Sequence, residues 1–256
     1  MKSVKLVDLS MPMENCAFFP RPATITHIDH YDWTKQLCRL IDGVKPTDFP
    51  NGLSNAMDYF SASTHTGTHL DAPLHYAPVI KGQPAKSIDQ VPLEWLYGDG
   101  VVLDFRHKKA GEFITLEDVK IALSKIKYTL KAWDIVLIMT GAAAQYDTNP
   151  DYANLHAGMS KEATIWLIDQ GIKVMGIDAI NFDIPFKYMS MEYKKGNKKV
   201  VMATHCGLGQ DREYVHMENL INLEKLPSYG FEIVCFPIKI AKATGGYVRA
   251  VAIIRD

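Results

Sequence analysis

The chain has few of the features that mark several large classes of protein. Its four cysteines, Cys16, Cys38, Cys206 and Cys235, are scattered and form no C-x-x-C pair. That excludes a zinc knuckle or a disulfide framework and leaves reduced thiols as the expectation, with Cys206 notable only for sitting beside His205. No apolar run approaches the roughly 20 residues needed to cross a bilayer. The opening M-K-S-V-K-L-V-D-L-S lacks the apolar core and cleavage site of a signal peptide, so a cytoplasmic protein without a membrane partner is expected. Charge is nearly balanced, with 28 basic and 29 acidic residues interspersed for a net −1. Such a surface carries no footprint for nucleic acid. No G-x-G-x-x-G or P-loop follows an expected strand, which removes a nucleotide site. Ser61 and Ser63 lie outside any G-x-S-x-G elbow, which removes a serine hydrolase.

What remains is ordinary globular composition, 47% hydrophobic and 22% charged, over a length that supports one substantial core. A single domain over residues 1–256 is the expectation. Within it, T-H-T-G-T-H-L-D-A-P-L-H-Y from Thr64 to Tyr76 places His65, His69, Asp71 and His75 within eleven consecutive residues. Imidazole nitrogen and carboxylate oxygen are the ligands that borderline divalent ions accept. Histidines at i and i+4 would share one face of a helix, but the run is broken by Thr64, Thr66, Gly67, Thr68 and Pro73, all of which oppose helix. It reads instead as a strand entering a tight turn, with Gly67 allowing the bend.

Elsewhere the pattern mixes strands and helices without a clean βαβ repeat. V-K-L-V-D-L near the start, Gly98 to Phe105, Asp134 to Met139 and I-K-V-M-G-I-D up to Asp178 read as strands. Thr115 with Asp118 three residues on predicts a capped helix burying Val119, Leu123 and Ile126. Ser160 predicts a second, with Ala163, Trp166 and Leu167 on one face and Gly171 as its stop. The final stretch reads as two strands joined by a turn at Gly245-Gly246. Asp178 and Asp183 are readable as carboxylates orienting imidazoles or as turn residues. His27, His30 and His107 are expected at the surface, and His156 is expected to be a structural residue of a loop.

The H-T-G-T-H-L-D-A-P-L-H run fills every fixed position of H-x-G-T-H-x-D-x-P-x-H, and so resembles the cyclase-like metal hydrolases. That group includes bacterial kynurenine formamidases (arylformamidases) of tryptophan catabolism, isatin hydrolases and enzymes first named as polyketide cyclases. The likeness continues through P-L-E-W-L-Y-G-D-G-V-V-L-D-F from Pro92, D-I-V-L-I-M-T-G from Asp134, G-I-D from Gly176, H-M-E-N-L around Glu218 and T-G-G-Y-V-R-A from Thr244. It implies an α/β swivelling β/β/α fold, a barrel-like mixed sheet with flanking helices. It also implies that His65, His69 and Asp71 bind metal, that His75 moves protons, and that Phe19, in Phe19-Pro20, faces substrate. Phe18 and Phe19 are otherwise readable as core anchors of their loop. A histidine and a glutamate from the C-terminal half would complete a two-metal site. Glu218 matches the glutamate, though it is also readable as a solvated acid. His205 matches the histidine with a spacing to Glu218 about one residue too long, and His216 lies nearby. The region from about Ile25 to Asn55, with Tyr31, Trp33 and Phe49, is longer than in compact formamidases and reads as a lid or a subunit contact.

Two imidazoles and a carboxylate leave a vacancy on a divalent ion, Zn2+ or Mn2+, in one or two copies. An ion so held acidifies a water, from a pKa of ~15.7 toward ~7, and polarises a carbonyl. His75 is the natural shuttle. The expected activity is therefore hydrolysis of an amide (an N-formyl arylamine or cyclic amide) or a lactone in a small-molecule substrate. The alternatives are a metal-dependent cyclase or lyase and a non-catalytic protein with a structural metal. A homodimer or higher homo-oligomer is expected.

Overall fold

A computed structural model describes residues 4–15, 22–208 and 211–255. Nine strands form one sheet. In chain order they are β1 (Val4–Asp8), β2 (His69–Asp71), β3 (Tyr97–Asp104), β4 (Ile135–Met139), β5 (Val174–Ile177), β6 (Val215–Glu218), β7 (Phe231–Val234), β8 (Gly245–Tyr247) and β9 (Val251–Arg255). The helices are α1 (His30–Leu40), the single turn α2 (Pro73–Tyr76), α3 (Leu116–Lys125), α4 (Lys161–Asp169) and α5 (Phe186–Lys194). Across the sheet the order is β1-β9-β7-β3-β4-β5-β6-β2-β8. The central β3, β4, β5 and β6 are mutually parallel, and every other neighbouring pair is antiparallel.

This order forces the sheet to curl. β8 lies at one edge and β9 one place from the other, yet only Val248, Arg249 and Ala250 separate them in sequence. Laid flat, seven strand spacings would hold them about 34 Å apart. Four backbone steps reach about 14 Å at most. The sheet must therefore bend into a half-barrel. The chain beyond β1 helps to close it, since Ser10 bridges to Leu220 just past β6 and Leu9 N–H donates to Ala250 C=O.

Both faces of the central strands are covered, so they read as continuous apolar runs. Val101, Leu103, Val136 and Ile138 face α3 and α4, which bury Val119, Leu123, Ala163 and Leu167 against them. Val102, Ile135 and Leu137 face the opposite cluster with Trp95, Met217 and Ile233. The helix starts are as the local sequence dictates. Thr115 Oγ1 accepts from Asp118 N–H while the Asp118 carboxylate accepts from Thr115 N–H, and Ser160 Oγ accepts from Ala163 N–H. Both satisfy otherwise orphaned first-turn donors. Gly171, at φ +89°, stops α4.

Three expectations are corrected. First, β3-α3-β4-α4-β5 is a run of two βαβ units. Long irregular connections, residues 105–115 before α3 and 140–160 before α4, hide that repeat in the sequence. Second, the bend at Gly67 (φ +63°) precedes strand β2 rather than following it, and Pro73 opens a helical turn, where its missing N–H costs nothing. Third, Gly245 and Gly246 do not form a turn. They are extended residues of β8, paired with Asp71 and Leu70 of β2. Around residues 25–55, Thr24–Ile28 pairs with Met57–Ser61 and α1 lies between these two strands in the chain. Among the described residues no helix is long and apolar enough to cross a membrane.

Candidate metal centre

β2 reads H-L-D and the last three residues of β6 read H-M-E, and the two strands are antiparallel neighbours. Their register sets His69 opposite Glu218 and Asp71 opposite His216. Alternate strand residues share a face, so these four polar side chains form one square while Leu70 and Met217 enter the core on the other side. All four are almost fully buried. His69 Nε2 lies 3.2 Å from Asp71 Oδ1 and 3.5 Å from Glu218 Oε2. His216 Nε2 lies 3.2 Å from Asp71 Oδ2 and 3.3 Å from Glu218 Oε1.

Three histidines reach this square from outside the two strands. His65, on the turn before β2, sets Nδ1 2.6 Å from Asp71 Oδ1 and Nε2 2.9 Å from Thr244 Oγ1. Its ring fits because Gly245 stands across from Asp71. A Cβ there would come within 2.7 Å of His65 Cε1. His75, on α2, places Nε2 3.8 Å from Asp71 Oδ2, and its ring centre is 4.2 Å from that of His65. Its side chain is 29% exposed where the Asp71 side chain is 1%, so it marks the mouth of the site. His205 comes from the turns after α5, with Nε2 3.6 Å from Asp71 Oδ2 and 3.5 Å from Glu218 Oε1.

The donor set fits a divalent cation. His69 Nδ1 donates to Gly67 C=O at 2.9 Å and His205 Nδ1 to Asp183 Oδ2 at 2.8 Å. That arrangement turns both Nε2 atoms toward the carboxylates, as supporting groups around a metal do. His69 Nε2 and Asp71 Oδ2 are buried with no hydrogen-bond partner, which is costly unless a positive charge lies between them. Burial alone would lower His205 and His69, but Asp183, Asp71 and Glu218 outweigh it and raise both. Burial would raise the Asp71 and Glu218 carboxyls, yet the facing imidazoles hold both below the ordinary range. A proton meets this demand for positive charge when no ion is bound, and a metal held there would displace it. His75 behaves oppositely. Burial, with His65, His205 and His216 nearby, outweighs the attraction of Asp71 and lowers it to about 4, leaving a neutral imidazole at pH 7.

His65, His69, Asp71, His75, His205 and Glu218 are thus brought together, whereas Phe19 lies outside the described residues. Asp183 orients His205 and also accepts from Thr204 N–H. Asp178 instead anchors a loop, accepting from Thr140 and Gly141. His156 is buried with Nδ1 donating to Ala157 C=O. His27, His30 and His107 are exposed. Cys38, Cys206 and Cys235 are free thiols. Sequence reading left His216 a mere neighbour, although the alternation in H-M-E already puts it on the face of Glu218.

The family described as "Putative cyclase" matches residues 7–184. A kynurenine formamidase of Erythrobacter litoralis is 30% identical over 189 residues, 74% of this chain and 73% of that one. An isatin hydrolase bound to the product analogue thioisatinate superposes with a TM-score of 0.77 at 20% identity, over 99% of this chain and 93% of that one. A structure described as a potential metal-dependent hydrolase with cyclase activity superposes with a TM-score of 0.63 at 18% identity, over 99% of this chain and all (100%) of that one. The curled mixed sheet is the fold of these neighbours, and by the extent of the family match the chain belongs to the cyclase family.

Proposed function

We propose that the protein is a metal-dependent hydrolase that opens a carbon–nitrogen bond in a small molecule, with an N-formyl arylamine or a cyclic amide as its substrate class. The observation that carries this reading is the pair of buried, partnerless atoms His69 Nε2 and Asp71 Oδ2, set beside a neutral and partly exposed His75. The names of the formamidase and isatin hydrolase relatives support it. His65, His69, Asp71, His205 and Glu218 would hold one or two ions, and the mixture of nitrogen and oxygen donors suits zinc and manganese. Such an ion supplies Lewis acidity and an acidified water.

The chain's own residues do the rest. His75 stands at the mouth with its imidazole unprotonated at neutral pH, so it can take the proton as water oxygen bonds to the carbonyl carbon. It then returns that proton to the departing nitrogen as the C–N bond breaks. Asp71, buried and ionised, holds His65 in place through the 2.6 Å contact and draws the His75 ring toward the same point. The sheet and the imidazole wall exclude bulk water from every group except His75, which strengthens these interactions.

Turnover of N-formylkynurenine, isatin and a simple lactone, run in oxygen-18 water, tests the proposal. Label in the product is expected, and an unlabelled product would transfer the site to lyase or cyclase chemistry. His75→Ala should lower kcat by about 10²–10⁴-fold with metal content unchanged. Loss of metal instead would make that residue a ligand.

A further inference from the structure

We infer that His216 is itself a metal ligand, and that this chain builds a second, closed cation position from Asp71, His205, His216 and Glu218. The inference rests on the metal-dependent reading above and adds to it a ligand and an inequality between two ions.

Each carboxylate divides its oxygens between two sides. Asp71 Oδ1 faces His65 and His69, while Oδ2 faces His205 and His216. Glu218 Oε2 faces His69, while Oε1 faces His205 and His216 and accepts from Phe182 N–H at 3.0 Å. One ligand atom from each of Asp71, His205, His216 and Glu218 lies within 4.8 Å of all the others. Four protein donors complete a tetrahedral ion and leave it no vacancy, whereas fewer leave an open position for chemistry. His65 is the least buried of these ligands, at 9% exposure, and its ring centre lies 4.2 Å from that of His75 at the mouth. The ion beside it would therefore be the accessible, reactive one, and its neighbour would be a fixed charge bound by both carboxylates.

The ring of His216 is set for this role. Tyr214 hydroxyl donates to Thr204 C=O at 2.8 Å and Tyr76 hydroxyl to Asp71 C=O at 3.3 Å. With their hydrogens so used, both oxygens present lone pairs to His216 Nδ1, each at 3.2 Å. Nδ1 must then carry the ring hydrogen, which leaves the Nε2 lone pair aimed at two carboxylate oxygens. Phe182 stacks on the ring at 4.5 Å and 14° and fixes that orientation. A histidine kept only for packing has no reason to point a lone pair at two anions from a position with no exposure to water.

The test strips the full chain with a chelator, restores zinc, and counts ions per chain by elemental analysis for the native protein and for His216→Leu, with circular dichroism as the check on folding. Two ions per native chain are expected, one leaving much more slowly. In the variant that ion should bind at least tenfold more weakly while the other is kept. A variant with native stoichiometry and affinity overturns the inference but leaves the hydrolase reading intact. A native protein that binds no ion overturns both. Should the variant not fold, anomalous scattering from cobalt-soaked native crystals decides. A peak at about 2.0–2.1 Å from His216 Nε2 supports the inference, and peaks confined to His65 and His69 overturn it.

Discussion

Gly245 shows how a single missing methyl shapes the site. Its backbone is extended, so alanine is conformationally allowed, and the penalty comes from space alone. A Cβ would sit 2.7 Å from His65 Cε1 and 3.1 Å from Leu70 O. Gly245→Ala is predicted to keep its circular dichroism and to lose about 10²-fold in kcat, the order that follows from misplacing a positioning group by about 1 Å. Steady-state kinetics beside a spectrum checks this, and native kinetics would show that His65 does not need that space. The residues legible in sequence were those that lie close together, His65, His69, Asp71 and His75. His205 was legible only as one of two neighbouring histidines, because the turns between it and Glu218 have no periodicity from which to count. Gly245 was misread as a turn residue because its reason for being glycine lies across the sheet, in the ring of His65.

At the scale of elements, α3 and α4 were legible because the interactions that start them span only four residues. The Thr115–Asp118 pair satisfies two donors reciprocally. Thr115→Ala is therefore expected to cost about 1 kcal/mol, read as a lower urea midpoint with unchanged slope and unchanged turnover. An equal loss of turnover would tie α3 to the site in a way its position does not explain. Strand β2 was harder to read. Three residues long and preceded by a turn, it takes its strand character from pairing with β6 and β8 rather than from its own propensity. The helical turn of α2 that carries His75 follows from Pro73 at its first position, a local rule missed because Pro73 reads as a helix breaker when only its interior cost is weighed.

The whole molecule is a half-barrel closed by chain order rather than by any periodic signal. Apolar alternation reveals strands, but not which strands lie far apart in sequence and adjacent in space. The mixed, barrel-like architecture was legible through family resemblance, whereas the curl follows from the three-residue link between β8 and β9. One consequence for stability belongs to this scale. His156 is buried, and burial lowers it from 6.5 to about 4. The unfolded chain takes up that proton more readily than the folded one, so stability falls as pH drops from 6.5 toward 4. The loss reaches roughly 3 kcal/mol. Urea unfolding at pH 7 and pH 4.5 should show the drop, and His156→Gln should show a smaller one. Equal drops would assign acid sensitivity to other groups.

The central claim is that the buried imidazoles and carboxylates of β2, β6 and their loops enclose a divalent cation. The most direct measurement is the metal content of the purified chain after dialysis, repeated after chelation and resupply of zinc or manganese. At least one ion per chain is predicted, with turnover lost on chelation and regained on resupply. A chain that carries no ion, takes none up and turns over substrate at the same rate throughout would contradict the account.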